Sequence, residues 1–312
     1  MRSIAVCGLV AVAVVGIAPA ALAQTMGFAT LPPGTLNHTT ASAVAKVMKD
    51  KADINMLVQP LAGDQVIVPM VGRGEVEIGI TNAPEFANGL ATQKELRMIG
   101  AVHALQTPFF VRKGSEFKTI ADMKGKRVTT GYSAMRVIDT MTSAMLATAG
   151  LTQNDIVPVP VPNVVRSADA FISGSADMFF FAFGAPKVRE VDATVGGIRV
   201  LDINEAGMDA ARKISPYGYL TNVAPGPIFV GVEKPMKVYS FDNVFFTHAK
   251  VADDVIYKFI DTLLSNKDDL IAVQPVLRAL SGDNMHKKYD LPYHPGALKY
   301  FADKKIPAKA MQ

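Results

Sequence analysis

Apolar and polar positions along this chain alternate between a strand period and a helix period, and the order of those periods repeats. Met26 to Thr30 reads as a strand, followed by the turn PPGTLNH and a helix from about Thr39 to Lys51. Val44, Val47 and Met48 give that helix its apolar stripe. A strand INMLVQPL, a turn AGDQ, a second helix and the segment GRGEVEIGITNA follow. From Lys126 the order returns: strand KRVTTG, turn YSAMR, a helix up to Gly150, strand IVPVPVP, a helix SADAFIS and the segment GSADMFFFAFGAP. Each half is a βαβαβ unit, so the pattern predicts an α/β fold with two similar lobes, each a sheet flanked by helices, facing across a cleft.

Local signals agree with this reading. Ile138, Met141, Met145 and Leu146 recur at helical spacing, and Gly150 supplies a left-handed stop. Thr152 and Asp155 open the next turn in a capping-box pattern. MFFFAF is a continuous apolar run, as expected of a strand covered on both faces.

Right-handed crossovers place the carboxyl ends of all strands on one side of a sheet, where ligands of open α/β folds sit. The polar turns at those ends hold the candidate contacts: Thr35, Asn37 and His38, then Asp64 and Gln65, then Thr81 and Asn82. The second half contributes Tyr132, Ser133, Ala134, Met135 and Arg136, with Phe183 and Gly184 after the aromatic run. Several of these turns lead into helices, whose free amides attract anions. The turn from Tyr132 to Arg136 is expected to hold a small carboxylate, with Arg136 as a forked cationic partner backed by the Ser133 hydroxyl. The plainer alternative makes Ser133 an N-cap and Arg136 a solvated first-turn residue. Asp64 is open between a partner for a ligand amine and a helix cap, and His38 between a hydrogen-bonding role and a helix start.

The ends of the chain say where it works. Arg2 precedes an apolar run from Ile4 to Leu22 that closes on Ala21, Leu22 and Ala23, the pattern of a secretory signal peptide spanning residues 1–23. The only cysteine, Cys7, lies inside it, so a periplasmic mature chain starting at Gln24 has no disulfide. With 49% hydrophobic and 19% charged residues, such a chain folds by burial alone, into one large or two medium domains. A net charge of +4, evenly mixed, gives no reason to expect nucleic acid or an anionic membrane as partner.

At this point the chain resembles the TAXI subgroup of solute-binding proteins from tripartite ATP-independent periplasmic (TRAP) transporters. PPGTLN, GRGEVEIGITNA, ADMKGKRVTTGYSAMR, ATAGLTQNDI and HPGALKYFADKKI stand in the order of that family's motifs, over essentially the whole mature chain. Leu36 and Asn37 replace the family's paired tyrosines, Asn82 and Ala83 its serine and aspartate, and Ala134 and Met135 its glycine and threonine before Arg136. The resemblance implies a periplasmic-binding-protein fold and a monomeric receptor. It would close by hinge motion on a small carboxylate such as glutamate, glutamine or 2-oxoglutarate and pass it to an ion-driven TRAP permease. It implies no cofactor. Lobe 1 is expected over 24–111 plus 240–312 and lobe 2 over 112–239, with crossings near 109–114 and near Val238 to Phe246. Phe109, Phe110 and Phe183 are expected in the core rather than in an aromatic wall.

An enzyme is the competing class. No nucleophile elbow, P-loop or G-x-G-x-x-G occurs, and Gly72 with Gly74 is a lone G-x-G. His38, His103, His248, His286 and His294 show no metal-ligand spacing. Asp253 with Asp254, and Asp268 with Asp269, are adjacent acids of ordinary helix starts rather than catalytic pairs. A free-standing receptor that hands its ligand to a sensor kinase is the remaining alternative.

Overall fold

The computed structural model describes residues 25–311, so the expected signal peptide lies outside the described residues. The chain starts with β1 (Thr25–Thr30), α1 (Leu36–Ala52), β2 (Asn55–Pro60), α2 (Asp64–Gly72) and β3 (Ile78–Asn82). Its β1 pairs in parallel with both β2 and β3, so the first βαβαβ unit is formed as expected. The first helix begins at Leu36 rather than Thr39, because the Thr35 side chain accepts the His38 amide and caps it. Its buried face carries Ala43, Val44, Val47 and Met48, and Asp53 ends it in the left-handed conformation.

After α3 (Ala83–Gly89), β4 (Leu96–Gln106) leads directly into β5 (Phe109–Arg112). The second unit is β6 (Arg127–Thr130), α4 (Val137–Ala147), β7 (Val157–Pro160), α5 (Val164–Ile172) and β8 (Phe179–Phe180). In it β6 pairs in parallel with β7, and Val128 bridges in parallel to Met178, just before β8. That order repeats the one around β1, so the echo in the sequence is an echo in space. Then come α6 (Pro186–Val195), β9 (Ile198–Val200), α7 (Met208–Ile214), β10 (Tyr219–Val223) and β11 (Met236–His248). The chain closes with α8 (Asp253–Ser265), α9 (Lys267–Val273), α10 (Gly282–Met285) and α11 (Pro295–Asp303).

Six strands form the large sheet: β10, β11, β3, β1 and β2 in order, with β4 also paired to β11. The smaller lobe holds the three-stranded β8–β5–β9 sheet and the β6–β7 pair. Thr107 and Pro108 join β4 of the large sheet to β5 of the three-stranded sheet, immediately before the segment expected to cross. Val238 to Phe246 lies wholly within β11, a strand buried from Val238 to His248 in the large sheet. Within the expected span of lobe 2, β10 pairs antiparallel with β11 in the large sheet.

One core, including Met26, Phe28, Val44, Val47, Phe259 and Phe301, lies between the large sheet and the helices α1, α8 and α11. The other is continuous from Ile67, Val71 and Phe86 into the smaller lobe. There Phe110 stacks on Phe179 at 5.0 Å and meets Phe183 edge-on at 5.4 Å. The HPGALKY segment is a helix start: His294 caps α11 by accepting the Gly296 amide at 3.1 Å, and Pro295 takes the first turn. A side chain at Gly296 would meet the Asp253 carbonyl at 2.2 Å, which is how α11 docks against the start of α8. No helix among the described residues is long and apolar enough to cross a membrane.

Candidate functional site

The turns at the carboxyl ends of the strands meet where the lobes face each other. The Gln65 amide donates to the Ala134 carbonyl at 3.3 Å, the Lys187 amide to the Gly34 carbonyl at 3.1 Å, and Asn163 Nδ2 to the Ala62 carbonyl at 3.3 Å. Gly63 lies so close to the opposite turn that a Cβ there would stand 2.0 Å from the Ala134 oxygen. The lobes are thus closed on each other, and two spaces remain between them.

The inner one is a cavity of about 40 Å³. Leu31, Thr35, Leu36, Asn37, Asn82, Leu105, Thr107 and Phe241 wall it from the large-sheet lobe, and Met135, Ile138, Val164, Phe180, Phe181 and Ala182 from the other. Its polarity is carried by neutral groups. Asn37 Oδ1 accepts from Asn243 Nδ2 at 2.8 Å and Asn82 Oδ1 accepts the Glu85 amide at 2.9 Å, so each asparagine keeps its Nδ2 donors for another partner. No ionisable side chain lines this cavity.

The outer space is a pocket of about 320 Å³ between α2, α3 and the start of α4. Asp64, Gln65, Glu85, Asn88, Thr92, Gln93, Arg136 and Thr140 are its polar residues. Asp64 is completely buried, accepts the Thr81 hydroxyl at 2.7 Å through Oδ1, and has no hydrogen-bond partner at Oδ2. Burial pushes its carboxyl up to about 6. Burial, then the neighbouring Asp64 charge, pushes Glu85 up to about 8, against the Val137 amide and the Arg136 charge.

Residues 28–304 match the model of the NMT1-like family. The chain belongs to the NMT1-like family. Among solved structures, this NMT1-like chain is similar to PhnD1 from Prochlorococcus marinus in complex with methylphosphonate. That match has a TM-score of 0.57 and 11% identity, over 92% of this chain and 100% of that one. It is also similar to the alkanesulfonate-binding protein SsuA from Xanthomonas axonopodis pv. citri bound to MOPS (TM-score 0.52, 14% identity, 94% and 97% covered). A third match is AbpA, an amino acid ABC transporter substrate-binding protein from Streptococcus pneumoniae bound to L-arginine (TM-score 0.52, 11% identity, 82% and 95% covered). At such identities the likeness shows the fold, which is that of periplasmic binding proteins. SsuA and AbpA are named as binding proteins, and none of the three as an enzyme.

The structure divides the residues expected at the site of this NMT1-like protein. Thr35, Asn37, Asn82 and Met135 line the inner cavity, and Asp64, Gln65 and Arg136 the outer pocket. Thr81 lies beneath, holding Asp64. Asp64 is the first residue of α2 rather than its cap, which is Gly63. His38 is half-buried in the first turn of α1 and reaches neither space.

The turn from Tyr132 to Arg136 departs most from expectation. Tyr132 is buried, bonded to Thr129 at 2.9 Å and Ser167 at 3.2 Å, and burial pushes its phenol up to about 12. Ser133 is exposed and caps nothing, since Arg136 itself occupies the cap position of α4. The amides of Gly131 and Tyr132 are taken by the Asp139 carboxylate at 2.9 and 3.0 Å, and that of Val137 favours the carboxylate of Glu85. Within the turn the Tyr132 amide is thus held by a carboxylate, while the Ala134 and Met135 amides donate to the carbonyls of Pro162 and Tyr132. Ala134 offers its carbonyl to Gln65, and Phe183 packs between Phe110 and Phe229 in the core. Gly184 (φ +78°) has no place on either space; a Cβ there would stand 2.7 Å from Val276.

Sequence reasoning missed Phe180, Phe181 and Thr107 on the cavity, and Glu85. The spacing of Asn82 and Glu85, a cap followed three residues later by an acid, was the available signal for the last. Among the described residues no three His, Cys, Asp or Glu side chains gather as a metal site.

Proposed function

We propose that this protein is an extracytoplasmic solute receptor that closes its lobes on a small organic acid with an apolar body. The observation that carries this reading is the inner cavity, walled by both lobes at the carboxyl ends of their strands, with two asparagine amides on one side and aromatic and aliphatic side chains on the other. Asn37 and Asn82 are the proposed donors to the acid group, and Phe180, Phe181, Met135 and Ile138 the wall for its hydrocarbon part. Arg136, exposed at the edge of the outer pocket, is assigned to attraction at the mouth rather than to contact. In this reading lobe 1 is the large sheet with α1 to α3 and α8 to α11, and lobe 2 the segment from β5 to β9. The hinge is at Thr107–Pro108 and at the return before β10.

The proposed partner is a TRAP-type, ion-driven permease. What supports it is the ordered set of TAXI-like motifs from PPGTLN to HPGALKY. The ABC transporter in the name of AbpA stands for the other arrangement, and dependence of uptake on an ion gradient rather than on ATP would separate the two.

A thermal-shift screen of small carboxylates, sulfonates, phosphonates and amino acids tests the receptor reading, since a ligand that binds only the folded state raises its melting temperature. A saturable shift with carboxylates that Asn82→Ala abolishes is the expected result. A shift with amino acids alone would return Asp64 to the site as an amine partner. A shift with sulfonates or phosphonates alone would overturn the carboxylate.

A further inference from the structure

Glu85 has no part in the proposed ligand site, yet it is tied to both lobes. It stands in the first turn of α3, where it is 5% exposed. Its carboxylate accepts Gln65 Nε2 at 2.9 Å from its own lobe, and across the cleft it shares the pocket wall with Arg136 and Val137 at the start of α4, whose amide favours the carboxylate. Beside it Asp64 is wholly buried with Oδ2 unpartnered. The charged groups facing the pair are few: Arg136, from the turn before α4, is the one cation lining the pocket, and it is exposed. Two carboxyls in one dry wall cannot both ionise without a large electrostatic cost, and a proton on one of them removes it.

We propose that Asp64 and Glu85 form a proton-holding pair that latches the lobes, so that closing takes up one proton from water and opening returns it. In the closed form the proton satisfies the carboxyl wall while Glu85 stays against the start of α4. When α4 withdraws, water reaches Glu85, which then ionises as an ordinary surface carboxyl. The raised pKa of Glu85 in the closed form has the matching sign. Closure is fully supported below the ordinary value of 4.5 and loses that support as pH rises through about 8. The latch rests on the receptor reading only for the hinge motion; no ligand enters its test, so failure to find a ligand and failure of the latch are separate outcomes.

Leu57 on β2 and Val157 on β7 are exposed, one on each lobe, and suit paired spin labels introduced as cysteines in a Cys7→Ser background. The distance between the labels, read from pH 5 to pH 9, is expected to lengthen with rising pH. The ratio of closed to open protein should fall by up to about tenfold per pH unit, the limit for one proton. Glu85→Gln is expected to stay closed throughout. Asp64→Asn removes the neighbouring charge that raises Glu85 and is expected to move the transition to a lower midpoint, set by Glu85 alone. A flat distance in the unsubstituted protein, an unchanged response in Glu85→Gln, or an unmoved midpoint in Asp64→Asn would each overturn the pair.

Discussion

Asn37 in the first turn of α1 accepts a hydrogen bond from Asn243 in the middle of β11, at 2.8 Å and with both residues buried. The bond fixes which end of the Asn37 amide faces the inner cavity, because with Oδ1 engaged the Nδ2 donors point elsewhere. Replacing Asn243 by alanine leaves the Asn37 oxygen buried without a partner. A loss of about 1–3 kcal/mol in urea unfolding is expected. Because Asn37 also loses its orientation, ligand affinity should fall as well, by about tenfold if one hydrogen bond is misdirected. Calorimetric titration with whichever acid the thermal screen returns checks the second effect.

A second buried pair lies behind the site. Lys287 Nζ reaches both oxygens of Asp242, at 2.7 and 2.6 Å, and the Tyr219 hydroxyl donates to the same carboxylate at 2.7 Å, with the Tyr289 hydroxyl as a further donor. Burial, then the Asp242 charge, pushes both phenols well above the ordinary tyrosine range. Asp242 on β11 thereby holds the segment between α10 and α11 onto the large sheet. Lys287→Met strands a buried carboxylate and should cost about 3–5 kcal/mol. Tyr289→Phe removes one of several donors and should cost about 1–2 kcal/mol. Urea unfolding of the two variants should keep that order; equal losses would mean that Lys287 is not the main counter-charge.

His294 makes stability depend on pH. Its Nδ1 accepts the Gly296 amide at 3.1 Å and its Nε2 meets the Val251 carbonyl at 2.9 Å, an arrangement that needs the neutral ring protonated on Nε2. Burial lowers its pKa below the ordinary 6.5, against the pull of Asp253. The unfolded chain then binds the proton more tightly than the folded one. The contribution is present above pH 6.5 and is lost as pH falls below it. His294→Asn keeps a capping side chain and has nothing to titrate. Its melting temperature should fall less between pH 7 and pH 5 than that of the unsubstituted protein. An identical fall would place the acid sensitivity elsewhere.

The two βαβαβ units were legible because helix and strand periods differ and their order recurs; β1, α1 and β2 fall within a few residues of expectation. The place of Val238 to Phe246 inside β11 is not legible in the same way, because an apolar run reads the same whether it bridges lobes or fills the middle of a sheet. The same ambiguity hid Phe180 and Phe181: a core strand and a cavity wall are written in the same residues. The contacts of the turn at Tyr132 are hidden for a different reason. Its free amides are a property of local sequence, but Asp139 folds back over eight positions to fill them, and Glu85 arrives from the other lobe. Neither contact has a period or a motif.

Gly63 offers the sharpest test that closure of the lobes is what binds the ligand. Its φ of 172° is extended backbone that any residue adopts, so alanine there brings no conformational strain. The atoms an added Cβ would meet, the Ala134 carbonyl oxygen at 2.0 Å and carbon at 2.6 Å, belong to the opposite lobe. In an open form that contact does not exist. Gly63→Ala is therefore expected to leave urea stability within about 1 kcal/mol, as for a substitution without strain, while lowering ligand affinity by tenfold or more and enlarging the radius of gyration in small-angle scattering. Loss of stability without loss of affinity would show that the contact between these turns holds the fold together and has no part in capture.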